Sequence, residues 1–388
     1  MSTTATATLI EPTATLQLKP AEPSSAAVQG ATPDTPPLTR PSSPSPTPRR
    51  ARREQYAPPS THYLDAYTSQ RYSPALGLVF ERGIQLRDVL RLPDGDERKE
   101  ALLEELAYTI SLHGVCVFPK QDLTQDELGE LALALGRASG APETSGLHIH
   151  PTAELGENGR PTVATISNVA EKGGRQISFA EKGLISSGLH SDISFEPTPA
   201  RYSMLRMHTL PPLGGNTQFN SAYAHYDMLS EPMKAFLSGL KAVHSGAVFR
   251  EQANKHGYKL HLGPRGAPEN VGDDFTAEHP IIRTNAVTGF QELFVNQTFT
   301  ERIVGLGYDE SRAILDYLFK LQSQAHDAML SYRWNTDDLC IWDNSAVNHC
   351  ATFDYREKRA GDRTVCVGEI PYYDPNGKSR KETTGSCI

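Results

Sequence analysis

The chain has 388 residues and a formal net charge of −8, so no global basic field favours nucleic acid or an anionic membrane. No apolar run approaches the roughly 20 residues that span a bilayer, and the N-terminus lacks a charged start followed by an apolar core, so neither membrane insertion nor secretion is expected. Cys116, Cys340, Cys350, Cys366 and Cys387 are scattered, odd in number and without a CxxC spacing. They read as reduced thiols of a cytoplasmic protein, not as a disulfide frame or a zinc site.

Residues 1–60 are rich in Ser, Thr, Ala and Pro and end in PSSPSPTPRRARREQYAPPS. Such a stretch buries too little apolar surface to offset its ordering entropy and is expected to be a disordered tail. Its cluster Arg49, Arg50, Arg52 and Arg53 reads as a solvated charge run, with a localisation signal as the alternative. Residues 61–388 are expected to form one domain. Leu103, Leu106, Ala107 and Ile110 recur at helical spacing in ERKEALLEELAYTISLHG, Gly114 closes that helix, and Val115–Phe118 follows as a buried strand. Thr124 and Glu127 carry a capping-box signature for the helix in ELGELALALG. Many short β-like runs come next, from TVATISNV to RTVCVGEIPYY, interrupted by a helix in ESRAILDYLFKLQSQAHD. Residues 245–275 are polar and Gly-rich with little periodicity and read as an insert or mobile loop. The predicted fold is mainly β with flanking helices around a double-stranded β-helix, or jelly roll.

The chemistry starts at His190-Ser-Asp192, with His349 far downstream in WDNSAVNH. Two imidazoles and one carboxylate are the ligand set of a non-haem Fe(II) site with open positions. Alternate residues of a strand share a face, so His190 and Asp192 can grip one ion while Ser191 points away. His-x-Asp is a weak signal by itself, because His225-Tyr-Asp227 repeats it. That pair sits in a stretch with helical spacing, where residues two apart diverge. Cys350, beside His349, is a weaker ligand candidate, since adjacent strand residues face opposite ways. His148-Ile-His150 could mimic a metal pair but has no carboxylate companion.

Arg359 and Arg363 follow His349 and either enter the cavity or remain on a charged turn with Arg356, Glu357 and Lys358. A guanidinium in the cavity would fork onto a carboxylate or sulfonate. Gly214-Gly215-Asn216-Thr217 reads as a tight turn opening a strand.

Taken together, LHIHP (147–151), LHSDISFEPTP (189–199), GGNTQFNSAYAHYDMLS (214–230), HPIIRTNAVTGFQELFVN (279–296) and WDNSAVNHCATFDY (342–355) closely resemble the taurine/2-oxoglutarate dioxygenase family. Within it the chain is most similar to fungal sulfonate dioxygenases. The resemblance runs over roughly residues 75–375. It implies Fe(II) bound by His190, Asp192 and His349, with 2-oxoglutarate and O2 as cosubstrates. It further implies that Thr217 and Arg359 hold the distal carboxylate of 2-oxoglutarate, and that His150, Arg363 and Ser186 face the substrate. Ala153 and Ser186 stand where taurine enzymes carry a tyrosine and an asparagine. The implied reaction is hydroxylation of a small anionic substrate, with succinate and CO2 as products. An alkylsulfonate such as taurine, releasing sulfite and an aldehyde, is the first expectation. A carboxylate, a sulfate ester or a secondary-metabolite intermediate is the alternative, and a non-catalytic jelly-roll binding protein is the reading from another class. Homo-oligomers are common in the family.

Overall fold

The structure is a computed structural model. It describes residues 56–81, 83–152, 164–167, 175–176, 184–257 and 259–385. Most of the expected tail, up to residue 55, lies outside them. Tyr56, near its end, shares a hydrogen bond with Tyr372 Oη (2.7 Å).

Local signals build the N-terminal part. After strands β1 (Ser69–Arg71) and β2 (Leu78–Phe80) come helices α1 (Leu86–Leu90) and α2 (Glu97–His113). Asp96 caps α2 by accepting from Arg98 N, and Gly114 ends it at φ +75°. A side chain at Gly114 would meet Val347 Cγ1 at 2.7 Å, so glycine is needed for space as well as conformation. Strand β3 (Val115–Phe118) is wholly buried. Helix α3 (Gln125–Ala138) opens with the expected capping box: Thr124 Oγ1 accepts from Glu127 N, and Glu127 accepts from Thr124 N.

The chain then runs through β4 (Ala164–Ser167), β5 (Arg175–Gln176), β6 (Ala200–Thr209) and β7 (Thr217–Ser221), followed by α4 (Ala222–Met228) and α5 (Glu231–Leu237). Next come β8 (Lys241–Ser245), α6 (Ala247–His256), β9 (Thr276–Pro280), β10 (Ile282–Thr284), β11 (Gln291–Leu293), β12 (Thr300–Ile303) and α7 (Tyr308–Gln324). Strands β13 (Met329–Tyr332), β14 (Asp338–Asp343), β15 (Val347–Ala351) and β16 (Ala360–Val367) and helix α8 (Arg380–Thr384) complete it. Stretch 245–275, where the sequence shows little periodicity, therefore holds a helix. That helix buries only Phe249 and Ala253 among its described side chains, too few to register as a repeat.

Among the described residues the strands form mixed sheets with helices against them. The largest runs β1-β2-β3-β14-β6-β16-β4-β5, and a three-stranded sheet runs β13-β7-β15. Directly paired residues of neighbouring strands share a face, and this sorts the large sheet into two sides. Tyr202, Met204, Leu339, Ile341 and Cys366 meet α2 and α3 through Leu106, Ile110, Leu131 and Leu135. Leu205, Met207, Cys340 and Trp342 meet the small sheet through Phe219, Leu330, Tyr332 and Val347. The candidate site lies on this second side. No helix among the described residues is long and apolar enough to cross a membrane.

Candidate metal centre

Strand β15 carries His349 opposite Phe219 of β7. The same residue forms an isolated antiparallel bridge with His190: His190 N donates to His349 O (3.1 Å), and His349 N donates to His190 O (2.9 Å). The two imidazole centroids are 4.5 Å apart. His190 is thus a single bridge residue and not part of the short strand expected from sequence. The chain turns immediately after it, through Ile193 at φ +49°. That turn carries the Asp192 carboxylate back, its Oδ1 3.5 Å from His190 Nε2 and its Oδ2 3.8 Å from His349 Nε2. Ser191 points away as expected and donates to Asn344 O (2.6 Å).

Ligating atoms of His190, Asp192 and His349 all lie within 4.8 Å of one another, the sole group of three or more such side chains found among the described residues. Their ionisation suits a divalent cation. Burial pushes the His349 imidazole down to about 3, so it is neutral near pH 7, the state that coordinates metal. Burial would raise the Asp192 carboxyl, but Arg363, His349 and His190 outweigh it and hold it well below its usual range. His190 Nδ1 sits 2.8 Å from Gly188 O. As donor there, it leaves Nε2 with its lone pair toward Asp192 and His349. Two imidazoles and one carboxylate fit Fe(II).

The carboxylate is braced from behind. Ser203 Oγ donates to Asp192 Oδ2 (2.6 Å), and Asn344 Nδ2 donates to Ser203 Oγ (2.8 Å). Asn344 Oδ1 accepts from both Asp192 N and Trp342 Nε1, each at 3.2 Å. Trp342 and Phe219 flank the His349 ring at 4.7 and 6.2 Å between centroids. None of Ser203, Asn344 or Glu196 was picked out from the sequence. Asn344 lies inside the WDNSAVNH run, so its position there was the available signal.

Thr217 opens β7 and Arg359 immediately precedes β16. Arg359 Nε donates to Gly215 O (2.8 Å) and Nη2 to Thr217 Oγ1 (3.4 Å). Gly214 and Gly215 have φ near +75° at 76° and 72°, and a side chain on Gly215 would reach Arg359 Cδ at 3.0 Å. Both arginines are therefore off the charged turn. Arg359 is buried, and Arg363 Nη2 meets Asp192 Oδ1 at 2.5 Å.

His150 packs edge-on to Phe249 (4.9 Å), and Phe249, Phe195 and Phe299 continue as an aromatic wall to the His190 ring. His148 lies edge-on to His150, with ring centroids 6.4 Å apart, and meets Glu196 Oε1 at 3.7 Å. Glu196 is clasped by Arg265, which also donates to His261 O and Gly272 O, tying residues 261–272 beneath this wall. Ser186 lies in a single helical turn, Ile185–Gly188, and among the described residues no side-chain hydrogen bond joins it to the other candidates. Ala153 lies outside the described residues. Cys350 faces away from His349, beside Gly188. The four cysteines among the described residues are free.

The fold and the His-Asp-His cluster define a metal-dependent oxygenase framework. Residues 71–367 match the family described as "Taurine catabolism dioxygenase TauD, TfdA family". The chain belongs to this family and is an Fe(II)- and alpha-ketoglutarate-dependent dioxygenase. It is 33% identical over 361 residues to "Alpha-ketoglutarate-dependent dioxygenase esdpJ" of Penicillium shearii, covering 83% of this chain and 95% of that protein. It is also 33% identical, over 73% of this chain and 67% of the relative, to a "Putative alpha-ketoglutarate-dependent sulfonate dioxygenase" of Schizosaccharomyces pombe. Among solved structures, a putative alpha-ketoglutarate-dependent taurine dioxygenase from Burkholderia xenovorans superposes with a TM-score of 0.58. It is 25% identical, over 80% of this chain and 93% of that one.

Proposed function

We propose that His190, Asp192 and His349 hold the Fe(II), that Thr217 and Arg359 hold the distal carboxylate of 2-oxoglutarate, and that Arg363 and His150 receive the anionic end of a small organic substrate. The observation that carries this reading is the convergence of the three ligating side chains within 4.8 Å. The β6–β14–β16 face and the β13-β7-β15 sheet, meeting through Trp342 and Phe219, then form the double-stranded β-helix around the site.

When bound, iron supplies the oxidative decarboxylation of 2-oxoglutarate by O2 and the oxidation of a substrate C–H bond. The chain's own residues orient and shield. Asp192 is kept ionised by the Arg363 guanidinium and held in place by Ser203. Phe195, Phe249 and Phe299 exclude water beside His190. Arg363 supplies a bidentate donor within reach of the metal ligands, so a substrate anion anchored there is positioned for reaction.

The substrate reading we favour is a small organic anion other than taurine: a carboxylate, a sulfate ester or a secondary-metabolite intermediate. Ala153 and Ser186 replace the tyrosine and asparagine of the taurine enzymes, and an apolar aromatic wall runs from His150 to His190. The Penicillium relative, aligned over 95% of its length, carries no sulfonate in its name. An alkylsulfonate remains the second reading, because the same clamp fits a sulfonate and the fission-yeast relative is described as a putative sulfonate dioxygenase. Taurine supplied with Fe(II), ascorbate, O2 and 2-oxoglutarate tests the choice. We expect no sulfite from taurine, and substrate-dependent succinate from a panel of aryl and alkyl carboxylates. Sulfite dependent on 2-oxoglutarate would reverse the substrate order. Arg363→Ala should raise the substrate KM far more than the 2-oxoglutarate KM, and equal effects would exchange the two arginine roles.

A further inference from the structure

Trp334 follows β13, and its indole is buried against Tyr332, edge-on with centroids 5.3 Å apart. The turn that presents it is pinned by Asp338. Its Oδ2 accepts from Tyr332 Oη (2.6 Å), Asn335 N (2.8 Å) and Asn335 Nδ2 (3.0 Å). So held, Trp334 Nε1 donates to Thr217 Oγ1 at 3.0 Å. Arg359 Nη2 donates to the same oxygen at 3.4 Å.

A threonine hydroxyl has one proton and two acceptor positions, whereas an indole N–H and a guanidinium only donate. Both acceptor positions of Thr217 are therefore filled, and its own proton must go outward. Thr217 pairs with Tyr332 on one side and Ala351 on the other, and lies two residues from Phe219, the partner of His349. Its side chain consequently shares the face that carries His349.

We propose that Trp334 is a positioning residue for the cosubstrate. By donating into Thr217 Oγ1, it makes that hydroxyl an obligate donor toward the distal carboxylate of 2-oxoglutarate. This rests on the assignment of Thr217 and Arg359 to 2-oxoglutarate made above. Without the indole N–H, one acceptor position of Thr217 reopens, the hydroxyl rotates freely, and its lone pairs face the anion part of the time.

The test is calorimetric titration of the full chain loaded with Mn(II), without O2, using 2-oxoglutarate and 2-oxopentanoate, which keeps the chelating 2-oxo acid but lacks the distal carboxylate. Thr217→Val should weaken 2-oxoglutarate by about 10- to 100-fold, the range for a hydrogen bond to a charged group. Trp334→Phe should weaken it by about fivefold, a smaller loss because the donor is mispositioned and not removed. The double variant should match Thr217→Val, and the Kd values of 2-oxopentanoate and Mn(II) should stay at wild type throughout. A wild-type Kd for 2-oxoglutarate in Trp334→Phe overturns the proposal. So does an equal loss for 2-oxopentanoate, or a fivefold loss that persists in the Thr217→Val background, because each would mean packing alone. If Thr217→Val itself binds 2-oxoglutarate normally, the pocket assignment fails and the proposal with it. Should Trp334→Phe not fold, benzothienylalanine placed at 334 keeps the ring shape, removes the N–H and answers the same question.

Discussion

His190-Ser-Asp192 and His225-Tyr-Asp227 carry the same pattern and end in opposite circumstances. At the first, the cross-strand bridge to His349 and the turn at Ile193 fold the backbone so that imidazole and carboxylate converge. At the second, helix α4 separates the two side chains. His225 is buried, and among the described residues neither ring nitrogen has a hydrogen-bond partner. Asp227 instead accepts from Ser379 Oγ (2.5 Å) and Lys381 N (3.1 Å) at the start of α8. The electrostatics follow the backbone. Asp192 is held well below its usual range once Arg363, His349 and His190 outweigh its burial, while burial raises the Asp227 carboxyl despite its hydrogen bonds. The triplet itself carries little chemistry; a partner about 160 residues away decides which copy can chelate.

Substituting each histidine breaks the comparison most directly. His190→Ala should abolish 2-oxoglutarate-dependent succinate formation and lower metal affinity by more than the about 10- to 100-fold typical of losing a ligand's outer partner. His225→Phe should leave both at wild type; a comparable loss there would erase the distinction. Asn344→Ala probes the brace that the second site lacks. It should weaken Fe(II) binding, measured by anaerobic titration, by about 10- to 100-fold with the far-UV circular dichroism unchanged. An unchanged metal affinity would mean that Ser203 alone holds Asp192.

A further effect is one of pH. Burial lowers the His225 imidazole from 6.5 to about 3, so between those values the unfolded chain takes up a proton that the folded chain refuses. Stability from this group is fully present above 6.5 and is lost as pH falls toward 3, by about 1.4 kcal/mol per pH unit. Urea denaturation of His225→Phe between pH 6.5 and 4.5 should show a shallower decline than wild type. Parallel declines would place a proton acceptor or water beside the ring.

Much of the scaffold was legible because its signals are local. The α2 and α3 helices came from periodicity, a capping box and a terminating glycine, all set within a few residues. Helix α6 was missed because two buried side chains make no readable stripe. At the candidate site, His190, Asp192, His349, Thr217 and both arginines were singled out by motif and resemblance, and the structure brings His190, Asp192, His349 and Arg363 together. Ser203, Trp334, Glu196 and Arg265 were not found, since a serine in a strand or a tryptophan in a turn has no signature until its partner is known.

From sequence alone came the chemical vocabulary: two imidazoles and a carboxylate, a glycine turn leading to a threonine, two arginines, and strands enough to enclose them. Tertiary structure decided which His-x-Asp converges, that Asp192 is braced by Ser203 and Asn344, and that the Thr217 hydroxyl is turned by an indole 117 residues away. The division has a physical cause. Residue type and short-range spacing set what a side chain can donate, accept or bind, whereas hydrogen-bond direction and ionisation depend on neighbours that only strand pairing across the whole chain brings within reach.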